Sequence, residues 1–132
     1  MDGLMPVGPR AFHSARLTVA IPTAVPERMR AGMREILSLE VPPEDRRQGL
    51  ATQLMRRTMQ EADEAGLVLL IHVKPYDENG IVDVDQLQSF YQRFGFARIQ
   101  EQPAVLMARP PIRVTVRVDH LSLRRAVHEA LH

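Results

Sequence analysis

The 132-residue sequence contains no cysteine. That excludes disulfides, thiolate metal sites and a cysteine nucleophile, and it is compatible with a reducing, cytoplasmic setting. Long hydrophobic runs are missing as well. The longest, Leu67 to Ile71, falls far short of the roughly 20 apolar residues that a bilayer-spanning helix needs. The first ten residues, MDGLMPVGPR, have no basic stretch followed by an apolar one, so no secretory signal is expected. Neither charge is in excess: 17 basic residues oppose 16 acidic ones for a net charge of +1. No global field therefore draws in a membrane surface or a nucleic acid, and aromatics at 5% leave little for stacking on RNA. Lysine occurs once, at Lys74, a compositional bias that carries no functional reading. A GxSxG elbow, a GxxxxGKS/T phosphate loop and a paired-carboxylate hydrolase pattern are all absent.

What is present suits one compact α/β domain over residues 1–132, since 45% of the residues are hydrophobic and the length leaves little room for a second core. Residues 1–14, rich in glycine and proline, read as an irregular arm. Ala15 to Ile21 reads as a strand ending at Pro22, and Met33 to Val41 as a second. In the second, Met33, Leu37, Leu39 and Val41 alternate with Arg34, Ser38 and Glu40. Glu35 and Ile36 break the alternation, as a bulge would. From Leu50 the period changes to three and four through Ala51, Leu54, Met55, Thr58, Met59 and Ala62, which predicts an amphipathic helix ending at Gly66. Leu67 to Val73 is nearly continuous hydrocarbon, as in a strand covered on both faces. A polar loop, a helix over residues 86–94 and a hairpin of residues 96–99 with 104–108 follow. Beyond Pro110-Pro111 the pattern predicts one more strand, IRVTVRV, and a helix from Ser122.

The stretch VPPEDRRQGLATQLM, residues 41–55, joins the second strand to the long helix. A helix N-terminus offers unpaired N–H groups and the positive end of the macrodipole. A glycine at its entrance admits an anion, and the guanidinium forks of Arg46 and Arg47 suit phosphate oxygens. A plain turn with solvated arginines would have the same composition.

Arg46-Arg47-Gln48-Gly49-Leu50-Ala51 resembles the Gln/Arg-x-x-Gly-x-Gly/Ala signature of the GNAT family of N-acetyltransferases, and LQSFYQRFGF, residues 87–96, resembles its second motif. The resemblance runs from about Met33 to Arg109 and does not cover the tail. It implies a mixed, mostly antiparallel sheet with a splayed parallel pair at its centre and helices on both faces. It also implies acetyl-CoA as co-substrate and no metal. The pyrophosphate would lie on the amides of residues 47–52, that is Arg47, Gln48, Gly49, Leu50, Ala51 and Thr52, with Arg46 beside it. Main-chain groups around Leu39 and Val41 would hold the pantetheine arm, leaving their side chains in the core.

Acetyl transfer needs an uncharged amine and a stabilised or protonated leaving thiolate. A phenol near a thiolate can hydrogen-bond it and give up its proton, and Tyr91 occupies the position that has this role in the family. Glu35, eleven residues before Arg46, has the spacing of the family's glutamate base in histone-acetylating members. Glu40, Glu44, Asp45, His72 and a water chain are the alternatives. Without a cysteine, direct transfer in a ternary complex is expected over an acyl-enzyme.

Two features depart from the pattern. Val84 and Leu87 stand where the family often has asparagine and alanine, and the chain before the motif strand is too short for the elements that normally wall the acceptor site. The sequence therefore does not select among an amine on a small molecule, peptide or protein as acceptor, and a partner subunit is the expected source of the missing wall. The competing expectation is a non-catalytic acetyl-CoA-binding or association module, dimerising through the tail. His120, His128 and His132 lack the cysteines and carboxylates of a zinc site, and Arg56-Arg57 and Arg124-Arg125 read as solvated helix faces.

Overall fold

The computed structural model describes residues 5–74, 76–77, 80–81 and 83–112. The strand and helix expected beyond Pro111, with the three histidines above, lie outside the described residues. In chain order the elements are β1 (Gly8–Phe12), β2 (Ala15–Ala20), α1 (Glu27–Arg30), β3 (Met33–Glu40), a 3₁₀ turn (Pro43–Asp45), α2 (Leu50–Ala65) and β4 (Val68–Val73). They continue with β5 (Tyr76–Asp77), β6 (Gly80–Ile81), α3 (Val84–Gln92), β7 (Ala97–Gln100) and β8 (Val105–Arg109). Six strands form one sheet in the order β1-β2-β3-β4-β8-β7, while β5 and β6 pair apart from it. Among the described residues only β3 and β4 run parallel, which makes the sheet mixed and mostly antiparallel. Among the described residues no helix is long and apolar enough to cross a membrane.

Helix α2 has the bounds its periodicity predicts. Leu50, Leu54, Met55, Thr58, Met59 and Ala62 are buried, and the hydroxyl of Thr58 donates to the Leu54 carbonyl at 2.8 Å, so the one polar member of that face is satisfied. Its end is a Schellman turn. Gly66 sits at φ 70°, its N–H donates to Asp63 O at 3.1 Å, and the Leu67 N–H donates to Ala62 O at 2.9 Å. Helix α3 begins two residues earlier than expected because Asp83 caps it, its carboxylate accepting from the Gln86 N–H at 3.1 Å. Leu69, Leu70, Ile71 and Val73 are all buried, so β4 is covered on both faces, with His72 the exception in its second half.

The irregular arm needs correction over residues 8–12, which form β1 and pair with β2 from Gly8↔Val19 to Phe12↔Ala15. Gly8 and Pro9 concealed the strand, but β1 is a sheet edge, where a proline's missing N–H costs least. Long side chains hold it to α2: Arg10 is ion-paired with Glu61, and the Arg57 guanidinium lies 4.3 Å from the Phe12 ring centroid.

The face assignment of β3 also needs correction. Arg34 and Ile36 are the buried residues, and Leu37, expected to face the core, is 46% exposed. The bulge lies at Leu37, one residue past the break in the pattern, because Thr18 pairs with Ser38 while the next residue, Val19, pairs with Ile36. One extra residue reverses the alternation, and Leu39 returns to the core side opposite Leu17. The buried Arg34 is satisfied by main chain: Nε donates to Met5 O at 2.9 Å and a terminal nitrogen to Met33 O at 2.8 Å.

Candidate functional site

The parallel ladder of β3 and β4 runs from Met33↔Val68 to Ile36↔Ile71 and stops there. Past the bulge, Ser38, Leu39 and Glu40 pair only with β2, while His72 and Val73 pair only with β8. The two central strands therefore part. At this mouth lies a cavity of about 570 Å³ whose lining includes Leu39, Val41, Arg46, Ala51, Leu87 and Tyr91.

The loop at its rim has the backbone of an anion cradle. Arg47 has φ 68° and Gly49 has φ 76° and ψ 13°, two left-handed residues in three positions. The N-cap of α2, Gly49, makes no side-chain cap, so among the described residues its first N–H groups have no side-chain partner, and residues 46–49 are exposed. A Cβ on Gly49 would meet nothing within 4 Å. Glycine is thus favoured by the backbone angle, while the space before it is open to a ligand.

Five of the expected site residues, Leu39, Val41, Arg46, Ala51 and Tyr91, share the cavity lining. Arg47, Gln48 and Gly49 form the exposed rim, whereas the Leu50 side chain is core and only its main chain can belong to the cradle. Thr52 lines a different, larger cavity of about 920 Å³ between α2 and the corner from α3 to β7. That cavity touches neither Tyr91 nor the loop. Arg46 donates from Nε to the Val41 carbonyl at 3.0 Å, so that acceptor is already engaged and the guanidinium is held across the strand end.

Tyr91, 7% exposed, packs edge-on against Phe90 at 5.5 Å and Phe96 at 6.0 Å between centroids. Burial raises its phenol from the usual 10.0 to about 12. Between pH 10 and 12 the unfolded chain has released this proton and the folded chain retains it. Stability from this group is complete below pH 10 and is lost as pH rises through 12, by about 3 kcal/mol in all. Urea midpoints at pH 8 and pH 11 should show a smaller alkaline loss in Tyr91→Phe than in the wild type.

Glu35 is not in the cavity. Its Oε2 lies 3.0 Å from Nδ1 of His72, across the last paired residues of β3 and β4. Two further features had no sequence signal beyond an arginine ending an apolar strand and polar residues in a tight turn. Arg109 on β8, 3% exposed, makes a two-pronged ion pair with Asp63 of α2 at 2.8 and 3.0 Å. Ser14, from the β1–β2 turn, and Arg16, from the start of β2, also line the cavity, and among the described residues the buried Ser14 hydroxyl has no hydrogen-bond partner.

The family model for the acetyltransferase (GNAT) domain matches residues 16–98, well over half the chain. The chain belongs to the GNAT acetyltransferase family. No curated protein sequence matches it significantly. Solved structures share its fold at low identity. The ribosomal-protein-S18-alanine N-acetyltransferase from Escherichia coli superposes with a TM-score of 0.55 at 18% identity, covering 74% of this chain and 61% of its own. The anti-CRISPR protein AcrVA5 gives 0.58 at 20% identity, covering 79% and 98%. The PaiA N-acetyltransferase from Thermoplasma acidophilum, solved in complex with coenzyme A, gives 0.51 at 16%, covering 73% and 52%. This GNAT chain thus spans about three fifths of the length of the first of these and nearly all of the second. Its departures from the family motif are hydrocarbon: Val84 and Leu87 both pack against the core, and Leu87 reaches the cavity.

Proposed function

We propose that this GNAT protein transfers the acetyl group of acetyl-CoA directly to an amine acceptor in a ternary complex. The observation that supports this most is the single cavity at the strand splay, which has an uncapped helix entrance at one side and Tyr91 at another. The chain's residues fit the co-substrate. The amides of residues 47–52 and the Arg46 and Arg47 guanidiniums suit a pyrophosphate, and the unpaired edge of β3 at Leu39 suits an amide-bearing arm that adds as a strand. When bound, the co-substrate supplies the activated thioester.

Tyr91 serves the leaving sulfur. Its phenol, near 12, is about 3.5 units weaker as an acid than a thiol near 8.5, so handing over the proton completely is uphill by roughly 5 kcal/mol. The role that follows is a hydrogen bond that strengthens as charge builds on sulfur, with solvent providing the proton. Glu35, with His72, provides the basic side of the reaction. Tyr91→Phe should lower kcat by roughly a hundredfold, the usual effect of deleting one donor to a developing anion, and leave the Kd for acetyl-CoA nearly unchanged. Steady-state CoA release with calorimetric Kd values checks this, and unchanged kcat would remove the role.

The acceptor class is an amine on a small molecule, a peptide or a protein. The S18-alanine acetyltransferase among the structural relatives favours including a free peptide N-terminus among the first acceptors tried. A cysteine-free chain suits the cytoplasm. The second reading, a module that binds acetyl-CoA and acts by protein association, including as a homodimer, is favoured by the hydrocarbon at Val84 and Leu87. Titration with acetyl-CoA, with desulfo-CoA and ATP as controls, decides first. Saturable, selective binding supports the site, and no binding at millimolar concentration overturns it.

A further inference from the structure

Register assigns each side of the sheet around the splay. Ile36 and Ile71, directly paired, belong to the core cluster that includes Leu54 of α2 and Tyr91 of α3. Glu35 and His72, one residue to either side of that pair in their strands, point to the opposite face. There they meet at 3.0 Å, at the point where β3 and β4 part. A carboxylate and an imidazole thus stand at the splay on one face, while the phenol of Tyr91 approaches it from the other.

We infer that His72 accepts the proton of the attacking amine and that Glu35 positions the imidazole for this, an assignment that rests on the acetyl-transfer reading above. The order of the two residues comes from exposure. The Glu35 side chain is 15% exposed and that of His72 34%, so the imidazole is the outer member and the carboxylate the inner one. The Glu35 oxygen faces Nδ1, which makes Nδ1 the protonated nitrogen of the neutral ring and leaves Nε2 as the basic one. Among the described residues Nε2 has no hydrogen-bond partner. A carboxylate behind an imidazole selects the tautomer and stabilises the imidazolium once formed, the same division of labour by which other nucleophile activations work.

The step balances. The amine nitrogen forms a bond to the thioester carbon, and the carbon–sulfur bond breaks with its electron pair moving to sulfur. His72 Nε2 takes the nitrogen's proton, Glu35 offsets the new positive charge, and Tyr91 hydrogen-bonds the departing sulfur until solvent protonates it. His72 then returns its proton to solvent. Amine and thioester have become amide and thiol, with no oxidant, metal or acyl-enzyme required.

The assignment predicts that glutamine in place of His72, which can still donate a hydrogen bond to Glu35 but cannot take up a proton, removes catalysis while keeping the structure. The test measures CoA release from acetyl-CoA with two acceptor probes, an alanyl tripeptide with a free N-terminus and an N-blocked lysyl peptide. His72→Gln should lower kcat about a hundredfold, within the usual range for a general base, with the KM for acetyl-CoA within twofold of wild type. Glu35→Gln should lower kcat by at least tenfold. The double variant should be no slower than His72→Gln, because residues that act as one unit are not additive. Wild-type kcat in His72→Gln, or a double variant as slow as the product of the single effects, overturns the assignment. Thioester cleavage absent from the wild type on both probes, with acetyl-CoA still bound, overturns the pair's catalytic part along with the reaction. Loss of acetyl-CoA binding itself would instead overturn the underlying acetyl-transfer reading.

Discussion

Gly49→Glu should weaken acetyl-CoA binding about a thousandfold while leaving a folded protein. The backbone there is left-handed, so any side chain carries a strain of about 1–2 kcal/mol, well short of a typical domain's 5–15 kcal/mol. A Cβ meets nothing within 4 Å, so no clash adds to that strain, and a carboxylate at a helix N-terminus offsets part of it through the macrodipole. The same open space is where the proposed function puts the phosphates. Two like charges about 4 Å apart at an effective dielectric constant near 20 repel by roughly 4 kcal/mol, which corresponds to about a thousandfold in Kd. Gly49→Ala is the informative partner, since it has the strain without the charge, and its Kd should stay within about tenfold of wild type. Calorimetry on all three proteins, with thermal melts to show that each is folded, checks both parts. Equal affinity in Gly49→Glu and wild type would move the phosphates away from this loop.

Asp63→Ala should destabilise the fold by about 2–4 kcal/mol, toward the lower part of what removing one partner from a buried ion pair costs, because Arg109 is buried while Asp63 is partly exposed. Arg109 is 3% exposed, and its terminal nitrogens both donate to Asp63, while its Nε donates to the Phe94 carbonyl. Asp63 also accepts from the Ile112 N–H at 2.8 Å. Alanine would leave a desolvated guanidinium with two unmet donors and would free the segment after β8. The interaction joins α2, whose N-terminus is the proposed phosphate cradle, to the turn that follows the Tyr91 helix, through the Phe94 carbonyl. Its loss should therefore also raise the Kd for acetyl-CoA. Urea titration is the measure: a midpoint lowered at unchanged slope is expected for Asp63→Ala. Much of the loss should be recovered in Asp63→Leu combined with Arg109→Met, which removes both charges together. A midpoint unaffected by Asp63→Ala would show that the guanidinium finds water or another acceptor.

Element types were legible wherever a period was sustained. Sixteen residues of α2 with a 3.6 pattern and a glycine at the end left no competing assignment, and the five-residue hydrocarbon run at Leu67 reads as a covered strand because nothing in it could face water. Legibility failed where a single residue decided a direction. The extra residue at Leu37 reverses which side of β3 is buried, and a two-residue alternation has no internal mark that shows where the reversal happens. It also failed at β1, because a strand that contains glycine and proline differs from a loop only through its partner.

The sequence by itself determined the long helix α2, its glycine-opened entrance, and the types of the elements with a sustained period on either side of it. These are local properties: backbone angles, caps and periodicity act within a few residues and leave their mark on composition. Only the tertiary structure decided that β3 and β4 part after Ile36 and Ile71, that Arg46 spans the end of β3, that Asp63 holds Arg109, and that Glu35 meets His72. Each of these joins residues by strand register or helix docking. Contacts 37 or 46 residues apart leave no trace in local pattern, because the free energy that selects them comes from burying the whole core together.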